Sequence, residues 1–288
     1  MSVDVLQEKI RKTKNPSIVE IALPLGDLPA AFSRDAAGYG AFCRELLGGL
    51  KGIVPGVRFS FASFSLLGGE GLCELSALLK FAAEAGFYVL LDAPEIWSVQ
   101  SAQMIADSIF GAESLYPCDG LVVPGYLGSD IIKPFLSYCK DGKKDIFVVA
   151  RTANKSAPEL QDMLSGTRLV HAAAADHVNR YGGDTLGKFG YTRVGILAAA
   201  SAAESLRNLR TKYPKLFMLI DGYDYPNSNA KNCSFAFDKF GHGAAACGGR
   251  SILCAWKEAE DAEGQWLAYA VSAAERMKKN LTRYVTVL

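Results

Sequence analysis

Eight short apolar runs, each closed by a turn signal and followed by a segment with helical spacing, constrain this chain more than any other feature. The runs cover 18–23, 57–64, 87–91, 120–123, 146–150, 193–198, 216–220 and 244–247. They lack the strict alternation of a half-solvated strand, so each reads as a strand covered on both faces, as in a parallel sheet. Helical patterns separate them: 35–50, where Phe42, Leu46, Leu47 and Leu50 recur near helical spacing, then 72–85, 102–110, 131–139, 159–164 with 169–180, and 204–212; further helices follow the last run up to Arg283. Parallel strands need crossover connections, and eight strand–helix units predict a single (β/α)8 barrel over 1–288. Residues 1–14 are then an N-terminal extension and 252–288 C-terminal helices. A doubly wound open sheet is the competing arrangement.

Composition narrows the function classes. Half of the 288 residues are hydrophobic, enough for a large core, and 31 Lys and Arg nearly balance 30 Asp and Glu with no basic block. That balance argues against a nucleic-acid partner. No run reaches the roughly 18 apolar residues of a membrane span, and the polar stretch from Gln7 to Asn15 is not a secretory signal. Seven cysteines stand scattered at 43, 73, 118, 139, 233, 247 and 254 with no Cys-x-x-Cys pair, and the three histidines share no spacing. The expectation is reduced thiols in a cytoplasmic protein, with no metal site and no triad.

In a barrel of this kind function gathers on the loops after the strands. Phe87 to Leu91 run straight into Asp92, and Pro94 stops the strand, which puts a carboxylate where such folds keep their chemistry. The other polar residues at strand ends are Glu20, Arg58, Ser60, Glu95, Tyr126, Arg151, Thr152, Asn154, Asp221, Tyr223, Asp224 and Arg250. Ion pairs among them, such as Arg58 or Arg151 with Asp92 or Glu95, would satisfy several without any ligand. The most specific stretch is 241–250, Gly-His-Gly-Ala-Ala-Ala-Cys-Gly-Gly-Arg. Small residues, two glycines and an arginine before a helix let the backbone approach an anion, so Gly248, Gly249 and Arg250 are expected to hold a phosphate.

From about Asn15 to Arg283 the chain resembles the orotidine 5′-phosphate decarboxylase family, in its longer bacterial subgroup. Asn15-Pro16-Ser17-Ile18-Val19 is similar to the family's opening strand. Val123-Pro124-Gly125-Tyr126-Leu127-Gly128 is similar to its Val-Asn-Pro-Tyr-Leu-Gly, and Ala150-Arg151-Thr152-Ala153-Asn154 to a fifth strand ending Thr-Ser-Asn. Asp221-Gly222-Tyr223 stands where the family has Pro-Gly-Tyr, and Gly243 to Trp256 resembles its phosphate-holding segment and following helix. The resemblance implies a barrel, a homodimer, no cofactor and a phosphorylated ligand, with Tyr126, Arg151, Thr152, Asn154, Asp221 and Tyr223 on the ligand face.

The catalytic array departs from the pattern. The family's Asp-Ala-Lys-Arg-Gly-Asp reads Asp92-Ala93-Pro94-Glu95-Ile96-Trp97 here, so the lysine that protonates the carbanion is matched by Pro94. The second Asp, which the family lends across its dimer interface, is matched by Trp97. Arg58 replaces the lysine of strand two, Ala22 the aspartate of strand one, and Pro226 the phosphate-contacting glutamine, while Arg250 is retained. The expectation is a decarboxylation-deficient paralogue that binds a nucleotide or sugar phosphate. Competing readings are an active decarboxylase of pyrimidine biosynthesis, an enzyme with altered acid–base chemistry on Asp92, Glu95 and Arg58, and a ligand-free interaction protein.

Overall fold

The computed structural model describes residues 2–92, 96–259 and 263–288. Its strands are β1 (Ser17–Ile21), β2 (Gly56–Phe59), β3 (Tyr88–Asp92), β4 (Gly120–Val123), β5 (Asp145–Arg151), β6 (Thr192–Ala199), β7 (Leu216–Asp221) and β8 (Ala244–Gly248). All pair in parallel with their sequence neighbours, and β8 pairs with β1 through Ser17–Ala246 and Ile18–Cys247, so the sheet closes as a (β/α)8 barrel. The apolar runs lack alternation because both faces are covered: one fills the barrel, the other carries helices. Those helices include α1 (Val3–Thr13), α2 (Ala36–Leu50), α3 (Phe61–Ser65), α4 (Gly68–Glu84), α5 (Val99–Phe110), α6 (Leu136–Lys140), α7 (Pro158–Gln161), α8 (Val170–Gly182), α9 (Ala203–Lys212), α10 (Ala230–Ser234), α11 (Arg250–Leu253) and α12 (Trp266–Thr282). Among the described residues no helix is long and apolar enough to cross a membrane.

Side chains alternate across a strand, so Tyr88, Leu90 and Asp92 share one face of β3, as do Asp145, Phe147 and Val149 on β5. Inside the barrel Phe147 and Phe217 meet edge to face with centroids 5.9 Å apart. Gly195 makes room for them, because a Cβ there would lie 2.4 Å from the Phe217 carbonyl oxygen and 3.1 Å from the Phe147 ring. Toward the N-terminal ends of the strands, the buried Asp145 accepts the hydroxyl of Tyr88. α1 packs across that end: Val3, Leu6 and Ile10 are buried, Asp4 pairs with Arg193 at 3.1 Å, and Gln7 accepts the Gly243 N–H at 3.1 Å. The N-terminal extension is therefore an amphipathic plug.

Three boundaries differ from the sequence reading. The run at 57–64 stops at Phe59, because Phe61–Ser65 turn into α3 and bury Phe64 against Phe59 with centroids 6.1 Å apart. The pattern at 159–164 forms only α7, and the chain then reverses through Gly166 at φ +65° into a hairpin of Leu164–Ser165 with Arg168–Leu169. After β8 there is a single turn, α11, and two short 3-10 segments before the long helix α12 begins at Trp266.

Candidate functional site

The alternation that fills the barrel also aims Glu20, Arg58, Asp92 and Asp221 inward at the C-terminal ends of β1, β2, β3 and β7. Arg58, directly across from Glu20 in the β1–β2 register, is buried and meets all three carboxylates. Its Nε donates to Asp92 Oδ1 at 2.8 Å, its Nη2 reaches Asp92 Oδ2 at 3.5 Å, and its Nη1 donates to Asp221 Oδ1 at 2.9 Å. Glu20 Oε1 lies 2.9 Å from Nη2, as an ion pair only, without the alignment of a hydrogen bond. The expected Arg58–Asp92 pair is therefore present, inside a larger cluster.

One guanidinium cannot neutralise three carboxylates, so burial and charge act differently on each group. Burial works against the charge of Arg58, but Asp92, Asp221 and Glu20 outweigh it and hold the guanidinium protonated well above its ordinary range. Burial pushes Asp92 up from the usual carboxylate range, with Arg58 pulling the other way. Burial raises Glu20 to about 7, Arg58 opposes, and the charges of Asp221, Asp92 and Asp224 add to the rise. The Cys247 thiol beside them is pushed far up by burial, so it is no nucleophile at neutral pH.

Next to this floor opens a cleft of about 390 Å³, lined by Glu20, Ala22, Tyr223, Pro226, Cys247 and Arg250 with the backbone between them. A Cβ at Gly249 would stand 3.2 Å from the Glu20 carbonyl oxygen and 3.4 Å from its Cβ, a tight approach that a branched side chain would worsen. The N–H of Gly249 points as expected for an anion donor, but it already has an acceptor. Asp224 Oδ2 takes the N–H groups of Gly249 and Ser251 at 2.6 and 3.3 Å, and Oδ1 takes the Ser251 hydroxyl. Arg250 is 61% exposed at its side chain and reaches Asp27, which also accepts Lys257 Nζ at 2.6 Å. Those two cations hold the Asp27 carboxyl below its usual range. Because α11 is one turn long, the donors here are individual N–H groups and not the end of a helix dipole.

The other expected ligand-face residues divide. Tyr223 and Asp221 belong to the cleft and its floor. Tyr126, Arg151, Thr152 and Asn154 instead form a bracket above β5. Tyr126 donates to the Ala150 carbonyl, and Arg151 holds Asp162 through Nε and Nη2 at 2.9 and 3.0 Å. Thr152 bonds Gln161 and Asn154, and the buried His171 closes the bracket with Nδ1 3.1 Å from Asp162. Arg151 thus pairs with Asp162, not with Asp92. Glu95 lies outside the described residues, as does Pro94. Two participants escaped the sequence reading, Asp27 and Lys257, which sit in short 3-10 turns 230 residues apart and carry no motif.

The class that fold and site define is a (β/α)8 barrel whose mouth combines a carboxylate–guanidinium floor with a glycine–arginine loop after the last strand. No family model matches the chain. Curated relatives do: the orotidine 5′-phosphate decarboxylase of Rhodopirellula baltica is 29% identical over 279 residues, 95% of this chain and 90% of the relative. That of Clostridium perfringens is 27% identical over 270 residues, covering 91% and 92%. Among solved structures, the orotidine monophosphate decarboxylase of Leishmania donovani matches with TM-score 0.76 at 23% identity, over 99% of this chain and 98% of that one. The Plasmodium berghei enzyme matches with TM-score 0.74 at 14% identity, over 97% and 99%. The structures establish the shared fold, and in sequence the chain is similar over nine-tenths of its length to these curated orotidine 5′-phosphate decarboxylases.

Proposed function

We propose that this barrel binds a phosphorylated small molecule, a nucleotide or sugar phosphate, in the cleft beside Arg250, and that it does not decarboxylate it. The observation that carries the second half is the state of Arg58. Loss of CO2 leaves a carbanion that needs an adjacent cation and a proton donor. The guanidinium that stands at the family's lysine position spends its donors on Asp92 and Asp221 and its charge on three carboxylates. An arginine would in any case not release its proton. No lysine lines the cleft among the described residues, and position 94, where the resemblance expects one, is proline.

The phosphate half rests on the retained Arg250, on the close-approach geometry at Gly249, and on the names of the curated relatives, whose substrate is a nucleoside monophosphate. The protein acts as a homodimer in the cytoplasm in this reading, with the barrel mouths toward the contact. Calorimetry with a panel of nucleoside and sugar monophosphates, alongside a decarboxylation assay with orotidine 5′-phosphate, tests both halves. The reading predicts micromolar binding of at least one monophosphate and no turnover. Absence of binding at millimolar concentration removes the first half, and turnover above the uncatalysed rate removes the second.

A further inference from the structure

Glu20 differs from the other two carboxylates of the floor. Asp92 and Asp221 each accept a well-aligned hydrogen bond from Arg58, whereas Glu20 has only the ion-pair approach of Oε1 to Nη2. Its Oε2 accepts no hydrogen bond among the described residues, lies beside Gly249, and faces the cleft that Glu20 helps to line. The charged and titratable groups around it are Arg58 from β2, Asp92 from β3, Asp221 from β7, Asp224 from the loop after β7, and Cys247 from β8. Three acids and one cation among them leave an excess of negative charge, and carboxylates sharing one site do not all ionise together. The one least supported by hydrogen bonds takes the proton.

We propose that Glu20 is a specificity-determining residue, meeting the ligand as a neutral carboxylic acid whose O–H donates to an acceptor oxygen of the phosphorylated molecule. This inference rests on the reading of the cleft as a phosphate-ester site. It explains how an anion is admitted to a mouth that already holds Asp92, Asp221 and Asp224: the acid facing it is uncharged and supplies a donor. Binding above neutral pH then takes up a proton, since Glu20 ionises near 7 in the empty cleft. The floor also selects the ligand. It favours a phosphorylated molecule with carbonyl or hydroxyl oxygens over one that carries a second anionic group.

The test compares the intact protein with Glu20→Gln and Glu20→Ala, using uridine 5′-monophosphate and inorganic phosphate as probes at pH 6 and pH 8.5. Glutamine keeps a neutral donor and cannot ionise. The wild-type affinity is expected to fall roughly ten- to thirtyfold more between the two pH values than that of Glu20→Gln, as ionisation near 7 requires. Titration of the phosphate itself is common to both proteins and cancels. At pH 6, Glu20→Gln should bind within about threefold of wild type and Glu20→Ala at least tenfold more weakly. Carboxyl carbon NMR of the unliganded protein, assigned by the signal lost in Glu20→Gln, should give a midpoint near 7.

Parallel pH profiles for wild type and Glu20→Gln, equal losses in the two variants, or an NMR midpoint near the ordinary glutamate value would each overturn the inference. If neither probe binds wild type at millimolar concentration while the midpoint stays near 7, the phosphate reading has failed, and the ligand role of Glu20 falls with it.

Discussion

The Nε of Arg58 donates to Oδ1 of Asp92 across 2.8 Å, joining the end of β2 to the end of β3. That bond, with the one to Asp221, makes position 58 a tie rather than a free cation. Arg58→Lys is therefore expected to leave orotidine 5′-phosphate decarboxylation at the uncatalysed rate, because Pro94, Trp97 and Ala22 also depart from the pattern and such groups act as a unit. A radiolabelled CO2-release assay checks this. Arg58→Met should unfold at lower urea concentration, by about 3–5 kcal/mol, since removing one partner strands buried like charges.

The carboxylate of Asp224 and an incoming phosphate compete for the same N–H groups of Gly249 and Ser251. Asp224→Ala should strengthen inorganic phosphate binding by about tenfold, and Arg250→Ala should weaken it by a similar factor, since charge-assisted hydrogen bonds contribute roughly 1.5–3 kcal/mol each. Opposite shifts of the two variants in one calorimetric series are the expected signature. Equal weakening would mean that Asp224 contacts the ligand instead of standing in for it.

Asp145, at the end of the barrel that α1 covers, is pushed up to about 8 by burial, with the Tyr88 hydroxyl and the Val3 N–H opposing. A carboxyl raised in the folded state stabilises most below its unfolded value near 4. That contribution declines as pH climbs from about 4 through about 8, because above it the fold must carry a buried anion. Urea midpoints should therefore fall between pH 6 and pH 9, and Asp145→Asn should flatten that slope. A slope unchanged in the variant would assign the pH dependence to another group.

Trp97 is 71% exposed at the mouth, with Val99 at 51% and Met104 at 71% on the adjoining α5. Exposed aromatic and methionine side chains are enriched in interface cores. A dimer in sedimentation velocity at micromolar concentration, shifted to monomer by Trp97→Glu, is the expected outcome. A monomeric wild type removes the assignment of this face.

The barrel was legible in the sequence because buried parallel strands leave an unmistakable rhythm: apolar run, turn signal, helical spacing, eight times over. The Arg58–Asp92 pair was legible too, since a buried cation needs a partner and both residues end neighbouring strands. What could not be read was which groups compete for one another. Arg151 was open to Asp92 on position, yet it turns to Asp162, because the turn that ends α7 carries that carboxylate over β5. Asp224 gave no hint that it sits on Gly249, for that contact depends on how the loop after β7 folds back. The run at 57–64 overshot because Phe61 and Phe64 are as apolar as a strand requires, and only their packing, Phe64 on Phe59 and Phe61 on Tyr116, distinguishes a helical turn from its continuation.

Closure of the sheet has a consequence in time. β1 pairs with β8, and the floor cluster joins Arg58 to Asp221, 163 positions later. Contacts of such separation form late, because the loop entropy they cost must be offset by structure already in place. Glu20 and Arg58 lie on one side of the β1–β8 seam, and Asp221, Asp224 and Gly249 on the other. A partly folded chain with its first strands assembled would present Arg58 to Asp92 and Glu20 but have no cleft. The binding site is then a product of the final ring-closing step, and ligand capture during refolding would time that step.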